Sequence, residues 1–465
     1  MGTRAGGQIS QKPGSGKGEN YTKIIRYWIP ELLSSTLLFS LPFILDAYFV
    51  AKLRSTSTYG ALGVASSLMH TLMKFSEAIM VASVFIIGKH NGAGNQKECG
   101  KSLGDAFWST VILGSIQFVA VFSASSHFFH WVGVSEKIAR VGIPFLKIQS
   151  LAVFFAFIFQ AFLGFFRGVK NTKTPFYINL IGVAAFILLD YLFIFGKFGI
   201  PEMGLMGSAI ASLARFFLLT IIAVAYILVS KKYRAYFDQS FFRSCRPKNM
   251  IKLIKLSIPV MLDKTALATS YIWLFKMAAP LGTLALASMN AIYNLERFAF
   301  LPAIAFAQIV TFLVSNSLGA KDYKSAQENI KKVLFLSMFF VMVALAVLCW
   351  NAELFIGIFD HKCDFTAFAA SALTILSPLV AFDLLQLIFA ASLRGAGNMN
   401  TVMWTRIIGC GLFFVPLSRS IHWLPITDEW VKFVLIYGTF YLNTALMSLV
   451  FMIKIWNNGW DKKEL

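Results

Sequence analysis

Charge is scarce in this chain. Asp, Glu, Lys and Arg make up 14% of 465 residues, while 57% are hydrophobic. Soluble domains carry about 25% charge, so a surface wetted on all sides is excluded. Acid is scarcer than base, 22 against 42, for a formal charge of +20. That excess would suit nucleic acid if it were concentrated on one face. Here Lys and Arg sit in short loops between apolar runs, as membrane proteins place them to fix orientation. Cysteine is rare too: Cys99, Cys245, Cys349, Cys363 and Cys410 are scattered, with no CxxC and no His at metal spacing. That excludes a disulfide framework and a zinc site. A nucleophile–base set, a phosphate loop and a metal cluster are all missing, which argues against an enzyme. A cleavable signal peptide is not evident either, because residues 1–27 are polar over too great a length.

What is present is apolar sequence. Mean hydropathy is +0.68. Twelve apolar runs, bounded by Gly, Pro and charge, approach or exceed the roughly 20 residues that cross a bilayer as a helix. They cover 28–52, 59–87, 103–126, 142–166, 176–196, 205–230, 251–279, 284–316, 333–351, 366–392, 402–424 and 431–456. The expected fold is an all-α polytopic membrane protein. An even number of spans puts both termini on one side. Lys and Arg then number 28 on that side and 9 on the other, which predicts cytoplasmic termini.

The chain repeats itself. RGVKNTKT at 167–174 returns as RGAGNMNT at 394–401, an offset of 227. HNGAGNQK at 90–97 lies the same distance before SLGAKDYK at 317–324. Six helices fit within the offset, and six is even, so the halves enter from the same side. Such a parallel repeat is a transporter signature, with the substrate site expected between the halves. The expected division is a polar cytoplasmic tail at 1–27, a first lobe at 28–230, a basic linker at 231–250, a second lobe at 251–456 and a tail at 457–465. The two hinge arginines, Arg167 and Arg394, read as plain basic helix stops.

Ionisable residues inside apolar runs are functional candidates. Asp46 stands roughly 24 Å past Pro30 along the first span, and Asp190 roughly 22 Å past Pro175 along the fifth. The similar depth predicts one shared site, with Pro42 bending the first span beside it. Two adjacent carboxylates can hold and release a proton as the site opens to either side. His70, Lys74 and Glu77 share one face of the second span, with Lys74 expected to pair with Glu77. Asp383 lies near the midplane of the tenth span, with Gln386 one turn away. Lys264 and Lys276 read as residues snorkelling from helix ends. Glu296 and Arg297 are adjacent and point to different sides. Aromatics reach 15%, and an aromatic cavity with a few acids suits lipophilic cations.

These segments resemble the multidrug and toxic compound extrusion (MATE) family of the multidrug/oligosaccharide/polysaccharide exporter superfamily. LDAYFVAKL is similar to the family's Asp-bearing first helix, and VFIIGKHNGAGNQKE to the loop after helix 2. FFRGVKNTKTPF and LLDYLFIFGKFGIPEMGLMGSAIA resemble helices 4 to 6. MAAPLGTLALAS, VSNSLGAKD and FDLLQLIFAASLRGAGN match the second half. The resemblance covers about residues 25–455. It implies twelve helices in two pseudo-symmetric six-helix lobes and cation-driven export by alternating access. It also implies coupling through Asp46 and Asp190, and a cation-binding role for Asp383. Two positions depart from the family pattern: Phe186 replaces an Asn four residues before Asp190, and Leu267 replaces a Glu eight residues after Pro259. The second departure favours H⁺ over Na⁺ as the coupling ion.

The resulting expectation is a proton-coupled antiporter of small, lipophilic, cationic compounds, acting as a monomer in a prokaryotic inner or plasma membrane. It would need no cofactor beyond the coupling ion and no nucleic acid. His70, Lys74, Glu77, Phe186 and Gln386 are candidates for substrate contact or gating. A lipid or lipid-linked oligosaccharide flippase is the alternative, and a lysine facing the cavity would favour it. A receptor or channel-like scaffold is a third class.

Overall fold

A bilayer core offers no water to backbone N–H and C=O groups, so each must be satisfied within its own helix. The computed structural model describes residues 16–237, 246–360 and 362–457. The start of the polar tail, residues 238–245 of the basic linker with Cys245, His361, the residues after 457 and the side chains at 39 and 40 lie outside the described residues. No strand occurs among the described residues. Twelve helices follow the twelve apolar runs: α1 Tyr21–Ala51, α2 Thr56–Gly92, α3 Gln96–Val132, α4 Glu136–Gly168, α5 Lys173–Phe195 and α6 Leu205–Val229. Then come α7 Pro247–Ala278 and α8, in two pieces, Thr283–Ala299 and Leu301–Gly319. The last four are α9 Tyr323–Trp350, α10 Cys363–Gly395, α11 Met399–Trp423 and α12 Glu429–Trp456. Among the described residues, eleven helices are long and apolar enough to cross a membrane. The α7 helix, at 32 residues, has the length but not the apolarity, because Lys252, Lys255, Asp263 and Lys264 interrupt it.

Buried side chains gather in two clusters, one mainly from α1 to α6, joined by Leu253 and Val260 of α7 and Met399 of α11, and one mainly from α7 to α12. The start of α1 belongs with the second. Trp28 stacks on Phe306 and Phe340, at ring distances of 5.1 and 4.5 Å, and its indole N–H donates to the Pro302 carbonyl. So α1 reaches across from one lobe to the other.

Glycine decides where the lobes touch. A Cβ on Gly92 would collide with the Asn316 carbonyl, and one on Gly319 with the Lys89 carbonyl. Both pairs, Gly92 with Gly319 and Lys89 with Asn316, are 227 residues apart, so the contact is reciprocal about the axis of the repeat. Asn316 adds hydrogen bonds to the Asn91 side chain (2.6 Å) and the Gly168 carbonyl (2.9 Å). Near this contact residues 76–85 of α2 and 309–316 of α8 are all buried, whereas Ser67, His70, Thr71 and Lys74 farther along α2 are exposed. The lobes are therefore closed at the end that carries the start of α1 and open toward the other. A strap crosses the closed end. Glu19 pairs with Lys23 (2.7 Å) and Lys170 (3.0 Å), while its N–H donates to Asn329 (2.6 Å). Burial opposes the charge on Glu19, but the two lysines outweigh it and hold its carboxyl below the usual range.

The repeated hinges are held by buried charge. Arg167, at the end of α4, pairs with Glu31 of α1, and both are almost inaccessible. Arg394, at the end of α10, pairs with Asp263 of α7, which also binds Arg406. Neither hinge arginine is a simple helix stop; each ties the fourth helix of its half to the first.

Three outcomes are expected. Gly92→Val should destabilise the closed arrangement by about 1–3 kcal/mol through overpacking. Gly63→Val, which meets open space, should stay within about 0.5 kcal/mol of the parent. Thermal unfolding in detergent reads both. Arg167→Met alone should cost about 3–5 kcal/mol by stranding Glu31, and the double change with Glu31→Leu should recover most of it.

Candidate functional site

The first helix is not uniform. It is α-helical to Ser35, widens to a π turn over Thr36–Ser40 and resumes at Leu41. Pro42 has no N–H to give the carbonyl four residues back, Leu38. Arg215 of α6 takes that carbonyl instead, donating from Nη2 to Leu38 (2.8 Å) and Leu37 (3.2 Å). Its guanidinium lies over the rings of Phe216 and Phe186, with centroids at 5.0 and 5.7 Å. Phe186 is thus fully buried as a platform for an arginine, which places it away from any cavity surface.

One turn beyond Pro42, Asp46 accepts a hydrogen bond from the Ser208 hydroxyl of α6 at 2.5 Å. Asp190 of α5 is completely buried, and neither of its carboxylate oxygens has a hydrogen-bond partner among the described residues. The two acids are close enough for their charges to interact. They stand on neighbouring helices, α1 and α5, with Ser208 of α6 beside Asp46. Asp383 is in the other lobe. It is partly exposed in α10, within electrostatic reach of Arg406 and Glu296, so it does not join the Asp46–Asp190 pair. Gln386 beside it is buried, with its amide nitrogen unpartnered among the described residues.

A third group of charges bridges the lobes. Glu77 of α2 pairs with Lys74 at 3.0 Å, as their spacing predicts. Its second oxygen takes Lys264 of α7. Lys264 is therefore no snorkeller: it stands mid-helix and reaches across to the first lobe. Glu296 is buried, accepting from the Tyr437 hydroxyl at 2.6 Å, while Arg297 is exposed. His70 is exposed as well, its ring 5.1 Å from that of Phe43. Lys276 lies over the Trp273 ring. No group of three or more His, Cys, Asp or Glu that could hold a metal occurs among the described residues.

Sequence reasoning passed over Glu31, Arg215 and Asp263. Each is an ionisable residue inside an apolar run, the same signal that singled out Asp46. Ser208 carries no such signal, because only its hydrogen bond distinguishes it from other serines in the helices.

Comparison with known proteins agrees with this architecture. A profile of the MatE family matches residues 32–192 and again 259–418. The two matches begin 227 residues apart, the offset of the hinges. The chain is 24% identical over 404 residues to the multidrug resistance protein NorM of Photobacterium profundum, covering 87% of each chain. It is 23% identical to the probable multidrug resistance protein YoeA of Bacillus subtilis, covering 94% of each. Among solved structures it superposes on MATE in the straight conformation with a TM-score of 0.85 at 16% identity, covering 97% of this chain and 100% of the other. A structure of an outward-facing multidrug resistance MATE family transporter of the MOP superfamily gives a TM-score of 0.84 at 16% identity, covering 98% and 100%. These relatives are transporters and not enzymes. Two matched halves, twelve helices and a cleft between the lobes agree with that profile, and the chain belongs to the MatE family of multi-pass membrane proteins.

Proposed function

We propose that the protein exports small lipophilic compounds by alternating access, driven by the inward movement of a cation through the Asp46–Asp190 pocket. The observation that carries this reading is Asp190: it is fully buried, both oxygens lack hydrogen-bond partners among the described residues, and its neighbour is another acid. Two ionised carboxylates in such a pocket would repel and lack solvation, so the pair holds one cation at least. A proton needs only the oxygens, whereas a metal ion would need several more ligands. Proton coupling is therefore the reading preferred here. With one Asp neutral the pocket closes on itself. When the pocket opens to water on the low-proton side, the acids ionise and the lobe takes its other shape. The exposed polar positions of α2 and α8 and the buried closed end support a form open away from the termini. With the termini in the cytoplasm, as the 28 to 9 bias of Lys and Arg favours, that form faces outward. NorM and YoeA, named for multidrug resistance, support small-molecule cargo. The protein works as a monomer in a prokaryotic inner or plasma membrane.

A second reading, translocation of a lipid or lipid-linked headgroup, is favoured by one observation: Lys74 and Lys264 meet between the lobes.

The test is reconstitution in vesicles with H⁺ and Na⁺ gradients imposed separately. A proton gradient should drive uphill export, and a sodium gradient of equal size should not. Asp190→Asn and Asp46→Asn should each lower the gradient-driven rate by about tenfold or more, while leaving downhill flux measurable. Full uphill transport by both variants would overturn the site. Export driven only by sodium would overturn proton coupling.

A further inference from the structure

The cleft between the lobes has a sign that the coupling pocket does not explain. Ser67, His70, Thr71 and Lys74 are exposed along α2, and Asn290, Asn294 and Arg297 along α8. Ionisable side chains within spans face the bundle interior or a water-filled cavity, so His70, Lys74 and Arg297 mark the sides of these two helices that line the cleft. His70 and Arg297 are 227 residues apart, the offset of the repeat. They are equivalent positions in the two halves, and their charges reach one another across the cleft. Just below them Lys74 and Lys264 share one carboxylate, that of Glu77. Arg297 has no hydrogen bond or ion pair among the described residues, and the nearest acid in sequence, Glu296, turns the other way toward Tyr437. Lys74 of α2 and Lys264 of α7 thus converge on one acid, and Arg297 of α8 lies within electrostatic reach of His70, so these five residues carry a formal +2 with His70 neutral. Cations gathered at mid-membrane depth repel one another, and an anion relieves that repulsion while gaining several charge-assisted donors.

We propose that the cleft binds an anionic headgroup — carboxylate, sulfonate or phosphate — carried on an apolar body, with Arg297 and Lys264 as its principal donors and His70 and Lys74 beside them. This rests on the export reading for its purpose and replaces the cationic cargo expected from the aromatic content. The apolar body lies against Phe43, which already touches His70. The same chemistry occurs on a free amphiphilic anion and on an anionic lipid.

The test is equilibrium binding to the purified full-length protein in nanodiscs, with no gradient present. Fluorescein and rhodamine 123 share a xanthene body and differ in charge. In phosphatidylcholine nanodiscs fluorescein should bind about tenfold more tightly than rhodamine 123. Arg297→Gln should erase most of that preference and Arg297→Glu should reverse it, with Arg297→Lys retaining it. Nanodiscs containing phosphatidylglycerol distinguish the source. Loss of fluorescein binding there identifies a lipid headgroup as the occupant, and unchanged binding identifies a free anion; either supports the proposal. Equal or tighter binding of rhodamine 123 by the parent protein would overturn it. So would a preference unmoved by both Arg297→Gln and Arg297→Glu. Because binding is read without a gradient, its failure leaves proton-coupled export standing, and a failure of coupling leaves the anion site standing.

Discussion

Backbone-to-backbone contact between α2 and α8 governs the molecule. Gly92 and Gly319 remove the side chains that would hold these helices apart, and each glycine meets the other helix at an equivalent carbonyl. Because the lobes touch there, they part elsewhere. The opposite end becomes a wedge whose walls are the exposed stripes of the same two helices. Closure at one end and access at the other are thus one geometric fact, and small residues with a shared register are sufficient to produce it.

Charge within the bundle then sorts by whether it finds an opposite, a hydroxyl or water. Arg167 with Glu31, and Asp263 with Arg394 and Arg406, are self-contained and lock the fourth helix of each half to the first. Lys74, Glu77 and Lys264 connect the lobes and face the cleft. Among the described residues Asp190 finds neither a cation nor a donor, and Asp46 finds Ser208. Buried ion pairs contribute little net stability because desolvation offsets attraction, yet breaking one is costly. The locks therefore specify geometry more than they strengthen it, whereas the unpaired acids are where a small mobile ion has something to do.

Much of this was legible in the sequence. Length and hydropathy give the twelve helices, since a bilayer permits few alternatives. The 227-residue offset gives the two halves, and proline spacing gives the common depth of Asp46 and Asp190. The Lys74–Glu77 pair follows from helical periodicity. Partners across space were not legible. Arg167 looked like a helix stop because nothing local reveals that Glu31, 136 residues earlier, waits beside it. Lys264 looked like a snorkeller because its position relative to the membrane was judged from its own helix, while Glu77 lies on another. Phe186 looked like a cavity residue by position in the resemblance, but the charge beneath it comes from α6.

The π turn in α1 has a geometric consequence. Trp28 and Asp46 are 18 residues apart, which in an unbroken α-helix is five whole turns, about 1.5 Å of rise and 100° per residue. Both side chains would then lie in one direction, toward the second lobe, where Trp28 stacks on Phe306 and Phe340. A π turn accommodates one residue more than the α pattern allows, which shifts the phase by up to about 100°. Asp46 instead faces Ser208 within the first lobe. A single rod can thus present its lower half to one lobe and its carboxylate to the other, with Arg215 occupying the carbonyls that the dislocation leaves open.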